Sequence, residues 1–113
     1  MHEMSLAEGI LQLVEETAQR EKAQRVKLVL LEIGRLSTVE PEALRFCFDA
    51  VTRGSMVQGA TLEIVSVAGV GWCMECAQSV PMEEQFCACP QCGGFQLQAT
   101  GGTEMRVKEI EID

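Results

Sequence analysis

The first apolar positions of the chain recur at helical spacing. Leu6, Ile10, Leu13, Val14 and Thr17 share one side, with Glu15, Glu16, Gln19 and Arg20 opposite, which predicts an amphipathic helix over residues 6–21. Ser5-Leu6-Ala7-Glu8 has the pattern of a capping box, in which the serine hydroxyl accepts an amide proton three residues on and the glutamate reaches back. Residues 1–4 are then expected to form a short leader outside the helix. Residues 26–33 (VKLVLLEI) are aliphatic and β-branched on both faces, as a central strand would be, and end at Gly34. Pro41 suits the first position of a second helix. Leu44, Cys47, Phe48 and Val51 form the buried stripe of that helix, and Gly54 stops it. In residues 61–67, Leu62, Ile64 and Ser66 alternate with Thr61, Glu63, Val65 and Val67, which predicts a strand. Residues 104–112 predict a last strand whose alternation changes phase around Lys108 and Glu109, where a bulge would fit.

The order helix, strand, helix, strand, cysteine-bearing insert, strand predicts an α+β fold. The simplest packing is a small three-stranded sheet with two helices on one face, plus an inserted zinc-ribbon-like lobe. Residues 1–69 and 99–113 are expected to form the α/β domain, and residues 70–98 the lobe. A chain of 113 residues removes only about 60–70 % of its surface from water on folding, so a metal staple would help.

Charge and cysteine usage narrow the function. No apolar run approaches the roughly 20 residues that a membrane span needs. His2, Glu3 and Glu8 interrupt what would otherwise be a signal sequence, so a cytoplasmic protein is expected. Thiols stay reduced in the cytoplasm, and the six cysteines point to metal before disulfides. The formal net charge of −8, and the absence of any Lys or Arg between Arg53 and Arg106, argue against a nucleic-acid partner.

Cys73-x-x-Cys76 and Cys89-Pro90-Gln91-Cys92 are two knuckles separated by twelve residues. Each CxxC turn can place two sulfurs about 3.5–4 Å apart, so that two turns complete a tetrahedron of bonds near 2.3 Å around zinc. The Gly93-Gly94 pair supplies the backbone freedom that a tight knuckle often needs. Four thiolates leave no open position for water or substrate, so the expected role of this zinc is structural. Cys87 precedes Cys89 by two residues and makes a poorer chelate, so it is left outside the site. Cys47, on an apolar stripe, is expected to be a small core residue.

The only histidine is His2. With Met1 retained, its amine, the His2 amide nitrogen and the His2 imidazole could close a five- and a six-membered chelate ring. The fourth donor would come from the Glu3 amide, the Glu3 carboxylate or a partner. Nitrogens in a plane suit Ni(II) and Cu(II) but not Zn(II). An exposed leader residue or a cloning remnant would look the same, and spacing does not separate these readings.

Motifs spread over the whole chain separate them. MHEMSL at the start, LEIG ending at Gly34, FCFD ending at Asp49, RGS ending at Ser55, the two CxxC pairs and the closing VKEIEI occur in the order of one family. Together they resemble the HypA/HybF family of nickel-insertion accessory proteins of NiFe-hydrogenase maturation. The resemblance implies a metallochaperone, not an enzyme, that binds nickel at Met1, His2 and Glu3 and carries a structural zinc lobe. It also implies a HypB-type GTPase and a hydrogenase large-subunit precursor as partners, with a homodimer as a candidate assembly. Two features depart from the family pattern. Gly93 stands where some relatives carry a further histidine, and Cys87 is an additional thiol beside the zinc ligands. The competing classes are a zinc-ribbon protein-interaction adaptor and a rubredoxin-like electron carrier. The acidic charge and the missing basic residues count against a nucleic-acid-binding adaptor, and the MHE leader has no role in the carrier.

Overall fold

The computed structural model describes residues 2–113. In chain order the elements are α1 (His2–Arg20), β1 (Val26–Gly34), α2 (Pro41–Val51), β2 (Thr61–Val67), β3 (Gly69–Cys73), β4 (Gln78–Met82), β5 (Leu97–Gly101) and β6 (Met105–Ile112). They form two three-stranded sheets, ordered β2-β1-β6 and β4-β3-β5. The mixed α+β class read from the sequence therefore holds, with two helices and two small sheets. Among the described residues no helix is long and apolar enough to cross a membrane.

The chain divides into two compact units. The first comprises the described part of Met1–Leu31 together with Val39–Ile64 and Val107–Asp113; the second comprises Glu32–Thr38 and Val65–Arg106.

In the first unit α1 packs against α2. The start of α1 differs from expectation, because residues 2–4 belong to the helix and are not a leader. The Ser5-x-x-Glu8 pattern lies inside a helix already under way, and the extra turn is fastened by tertiary structure. Glu3 is only 8 % exposed, and its carboxylate accepts the Glu40 amide at 3.3 Å. The buried stripe is also rotated from the predicted one. It runs through Glu3, Ala7, Ile10, Val14 and Ala18, whereas Leu13 is 47 % exposed. Ala7 and Ala18 are fully buried, which suits a face where a neighbouring element approaches closely and larger side chains would not fit.

Helix α2 follows its sequence signals. Glu40 is the N-cap and its carboxylate accepts the Glu42 amide, Pro41 opens the helix, and Leu44, Cys47 and Phe48 are buried. Phe46 stays on the outside. Val26, Val29 and Leu31 of β1 are buried as well. In β6 the burial alternation shifts phase at Lys108 and Glu109, both exposed, as the sequence pattern indicated.

The second unit is built on the antiparallel pairs β3–β4 and β3–β5. The inward positions of β3 are Gly69, Gly71 and Cys73. A Cβ on Gly71 would lie 2.2 Å from the Met82 sulfur, and one on Gly69 would lie 2.4 Å from the Met82 carbonyl oxygen. The glycines thus make room for Met82, which with Val80 fills the thin interior of the unit.

Candidate metal centres

Two knuckles close one end of the second unit, and they are built alike. Cys73 ends β3, and its carbonyl accepts the Ala77 amide at 2.8 Å. The Cys89 carbonyl accepts the Gly93 amide at 2.8 Å in the same relation. Each turn closes with a residue in the left-handed region, Ala77 at φ 55° and Gly93 at φ 75°. Gly93 was legible as a knuckle glycine. Ala77 carries the same conformation without the glycine signal, so the sequence did not show it.

The turns bring the sulfurs of Cys73, Cys76, Cys89 and Cys92 within 4.8 Å of one another. Two of the distances, Cys73 to Cys92 and Cys76 to Cys89, are 3.8 Å. Tetrahedral bonds of about 2.3 Å require sulfur separations of about 3.8 Å, so the four donors fit zinc in both kind and spacing. Backbone amides face the cluster. Cys76 N donates to the Cys73 sulfur at 3.3 Å and Gln91 N to the Cys89 sulfur at 3.4 Å.

The charge balance of the thiols points the same way. The amide hydrogen bond from Cys92, working against burial and helped by the Gln91 amide, lowers the Cys89 thiol to about 7. At Cys92 the Gly94 amide pulls down, but the Cys76 thiol, burial and the Glu75 carboxylate push the value up to about 12. At Cys76 the Cys92 side chain pulls down, and burial with the Cys73 and Cys89 sulfurs prevails and raises it. Four thiols so close cannot all ionise unaided, whereas a divalent cation at the centre stabilises every thiolate at once. Cys87 is half-buried and outside the cluster, and Cys47 is a buried core residue of α2.

The second centre read from the sequence is at the start of α1. His2 is the first residue of the helix, its imidazole is half exposed, and its Nε2 lies 3.8 Å from the Glu3 carboxylate. The hydrogen bond from the Glu40 amide, partly opposed by burial, holds the Glu3 carboxyl below its ordinary value, so it stays ionised. The amides of this first helical turn have no intrahelical acceptors. Met1, expected to supply the amine, lies outside the described residues. The structural commitment of Glu3 to the chain before α2 was missed in the sequence. The one signal was the apolar stripe itself, which continues back from Ile10 through Ala7 to position 3.

Comparison with known proteins bears on both centres. The family described as hydrogenase/urease nickel incorporation, metallochaperone, HypA matches residues 1–112. The hydrogenase maturation factor HypA of Dechloromonas aromatica is 73 % identical over all 113 residues, covering 100 % of both chains. The protein of the same name from Albidiferax ferrireducens is 65 % identical, again over 100 % of both. The solution structure of the Ni metallochaperone HypA from Helicobacter pylori superposes with a TM-score of 0.71 at 26 % identity, covering 99 % of this chain and 97 % of that one.

Proposed function

The chain belongs to the HypA family of nickel-incorporation metallochaperones, and from that membership we propose that it binds Ni(II) at its N-terminus and delivers it for assembly of the NiFe-hydrogenase active site. In this reading Met1, His2 and Glu3 form the nickel site. Cys73, Cys76, Cys89 and Cys92 hold a structural zinc. The partners are a HypB-type GTPase and a hydrogenase large-subunit precursor, and the setting is the cytoplasm. The observation that carries the reading is the accessible His2 imidazole at the first residue of α1, beside an ionised carboxylate.

That position suits a carrier. The nickel donors are the Met1 amine, the His2 amide nitrogen and the His2 imidazole, with the fourth from Glu3 or a partner. The Glu40 amide takes one oxygen of the Glu3 carboxylate, which leaves the other oxygen, the Glu3 amide or a partner's group as fourth donor. The positive end of the helix dipole opposes a cation there by about 0.3–1 kcal/mol. The Glu3 carboxylate, together with any amide that gives up its proton to nickel, offsets this. The balance is a site that captures nickel yet yields it one ligand at a time to a recipient. Every nitrogen donor must be unprotonated, so nickel affinity falls as the pH drops.

Zinc, when bound, neutralises part of the charge of four thiolates and fixes the two knuckles relative to each other. It offers no open coordination position, so its role is structural.

The test is a nickel titration of untagged, zinc-loaded protein. His2→Ala should abolish nickel binding and leave zinc content and fold intact. An N-terminal extension that converts the amine to an amide should do nearly the same, and a C-terminal tag should not. Unchanged nickel affinity in both the His2→Ala and the extended protein would refute the N-terminal site.

A further inference from the structure

The middle strand of the second unit turns the usual distribution of side chains inside out. The inward positions of β3 hold glycine at 69 and 71, while the outward positions hold Val70 and Trp72. Val70 is 37 % exposed and Trp72, the only tryptophan in the chain, 39 %. Met74 prolongs the same row, because its amide continues the pairing of β3 by donating to Gln96 at 3.0 Å, and it is 61 % exposed. The flanking strands border this row with mostly polar side chains, Ser79 on β4 and Gln98 and Thr100 on β5. Pro81 stands opposite Val70, and Ser79 and Gln98 stand opposite Trp72. A folded domain of this size has few large apolar side chains, and three of them form one row on the outer face of the sheet. Contiguous apolar surface of this kind marks an interaction site, and tryptophan and methionine are enriched in such surfaces.

Charge selects the occupant. The second unit carries two cations, Arg35 and Arg106, against five carboxylates, Glu32, Glu75, Glu83, Glu84 and Glu104, which leaves −3. Arg35 is already paired with Glu83 at 2.8 Å, and Arg106 with Glu32. A zinc tetrathiolate would add −2. The apolar row runs from Val70 to Met74, directly beside Glu75 and the knuckle sulfurs, so the contact is apolar at one end and anionic at the other. A second copy of this chain, an anionic membrane and a nucleic acid would each bring like charge to that end.

We propose that the outer face of the β4-β3-β5 sheet is a docking surface for a protein of the maturation machinery whose contact patch is apolar and bordered by Lys or Arg, with Trp72 as the central anchor. This rests on the function proposed above, and it assigns recognition to the lobe that takes no part in holding nickel.

Fluorotryptophan incorporated into the full zinc-loaded chain gives a single fluorine resonance, that of Trp72. Titration with the hydrogenase large-subunit precursor, and separately with the HypB-type GTPase, should move this resonance saturably with at least one of them, and the complex should weaken as salt rises. By calorimetry, Trp72→Ser and Val70→Ser should each weaken that complex roughly tenfold or more, with zinc content and nickel stoichiometry unchanged. Phe46→Ser, an exposed apolar residue of the first unit, should bind as the parent does. The proposal is overturned if neither protein binds, if binding leaves the resonance unmoved or is indifferent to salt, or if the face variants bind as well as the parent. It is also overturned if the resonance moves with chain concentration alone, which would make a second copy the occupant. Failure of the nickel titration would instead overturn the function reading, since the fluorine signal does not depend on nickel.

Discussion

Gly34, the last residue of β1, is the position where adding one methyl group should do most harm. A Cβ there would lie 2.1 Å from the Gly102 carbonyl oxygen, 2.2 Å from its carbon and 2.8 Å from the Thr103 nitrogen. All three are backbone atoms, so no side chain can swing aside. Ordinary contact begins near 3.4 Å, so the end of β1 and the segment at Gly102 and Thr103 must part by roughly 1.3 Å. The displacement falls on two hydrogen bonds, Leu36 N to Gly102 O and Gly34 N to Glu104 O, both 2.8 Å. Overpacking of this kind costs about 1–3 kcal/mol, and weakening two backbone bonds adds about 1 kcal/mol each. The lower entropy of the unfolded alanine chain returns about 0.5–1 kcal/mol. Gly34→Ala should therefore destabilise the second unit by about 3 kcal/mol, a shift of order 100-fold in its folding equilibrium. Trp72 lies in the same unit, so its emission in a denaturant titration of zinc-loaded protein reads that unit directly. A measured cost below about 1 kcal/mol would refute the reasoning, since the backbone at Gly102 would then be free to move away.

Three further outcomes are expected. Gly9 lies in the interior of α1 with nothing within 4 Å of a built Cβ, so Gly9→Ala should stabilise the protein by about 0.8–1 kcal/mol in thermal or urea unfolding. Loss of stability there would mean that the helix is not formed at residue 9. The folded state holds the Glu3 carboxyl below its ordinary value of 4.5 through the Glu40 amide. Its contribution is therefore complete above 4.5 and is lost as the pH falls below that value. Glu3→Gln should lower stability at neutral pH and flatten the acid limb of the stability profile, whereas parallel profiles would show that the carboxylate bond contributes nothing. Removing zinc with a chelator should abolish the protection of β3 and β5 amides from hydrogen exchange, because metal binding of this kind contributes on the order of 10–16 kcal/mol to a small module. Protection that survives chelation would show that the second unit folds on its apolar interior alone.

What was legible in the sequence was whatever short-range chemistry dictates. The CxxC spacing forces two sulfurs together whatever surrounds them, and the four sulfurs gather in the structure within 4.8 Å of one another. Pro41, preceded by Glu40, fixes where α2 begins, and the alternation of Leu62 and Ile64 marks β2. What was not legible depends on partners distant in sequence. Ser5-x-x-Glu8 is a sound local cap, yet the helix begins at His2 because Glu3 is tied to Glu40, 37 residues away. Leu13 has the right spacing for the core and lies outside it, while Ala7 and Ala18, too small to weigh in a hydrophobic pattern, are fully buried. The strands β3 and β4 were read only as part of a lobe, and β5 runs across the boundary expected after residue 98. Their sequences, GVGWC, QSVPM and LQATG, carry glycine and proline, which a propensity reading penalises. The glycines of β3 are there because Met82 occupies the space where their side chains would be.

On the function proposed above, the correction at α1 assigns the two metals to different units of one small chain. A helix that begins at His2 and is anchored through Glu3 gives the His2 nitrogens a fixed place in the first unit, while the thiolates belong wholly to the second. The donor sets differ in kind as well as in place. Thiolates in a closed tetrahedron favour zinc, while nitrogens at an exposed and incomplete site favour a metal that accepts a planar field and can be handed on. Selectivity would then require no discrimination at either site beyond its own coordination chemistry. It follows that His2→Ala should not change how many zinc ions the chain retains, and that Cys73→Ala should release zinc without creating a new nickel site at the knuckles. A nickel ion recovered on the remaining cysteines of Cys73→Ala would show that the tetrathiolate excludes nickel only because zinc already fills it.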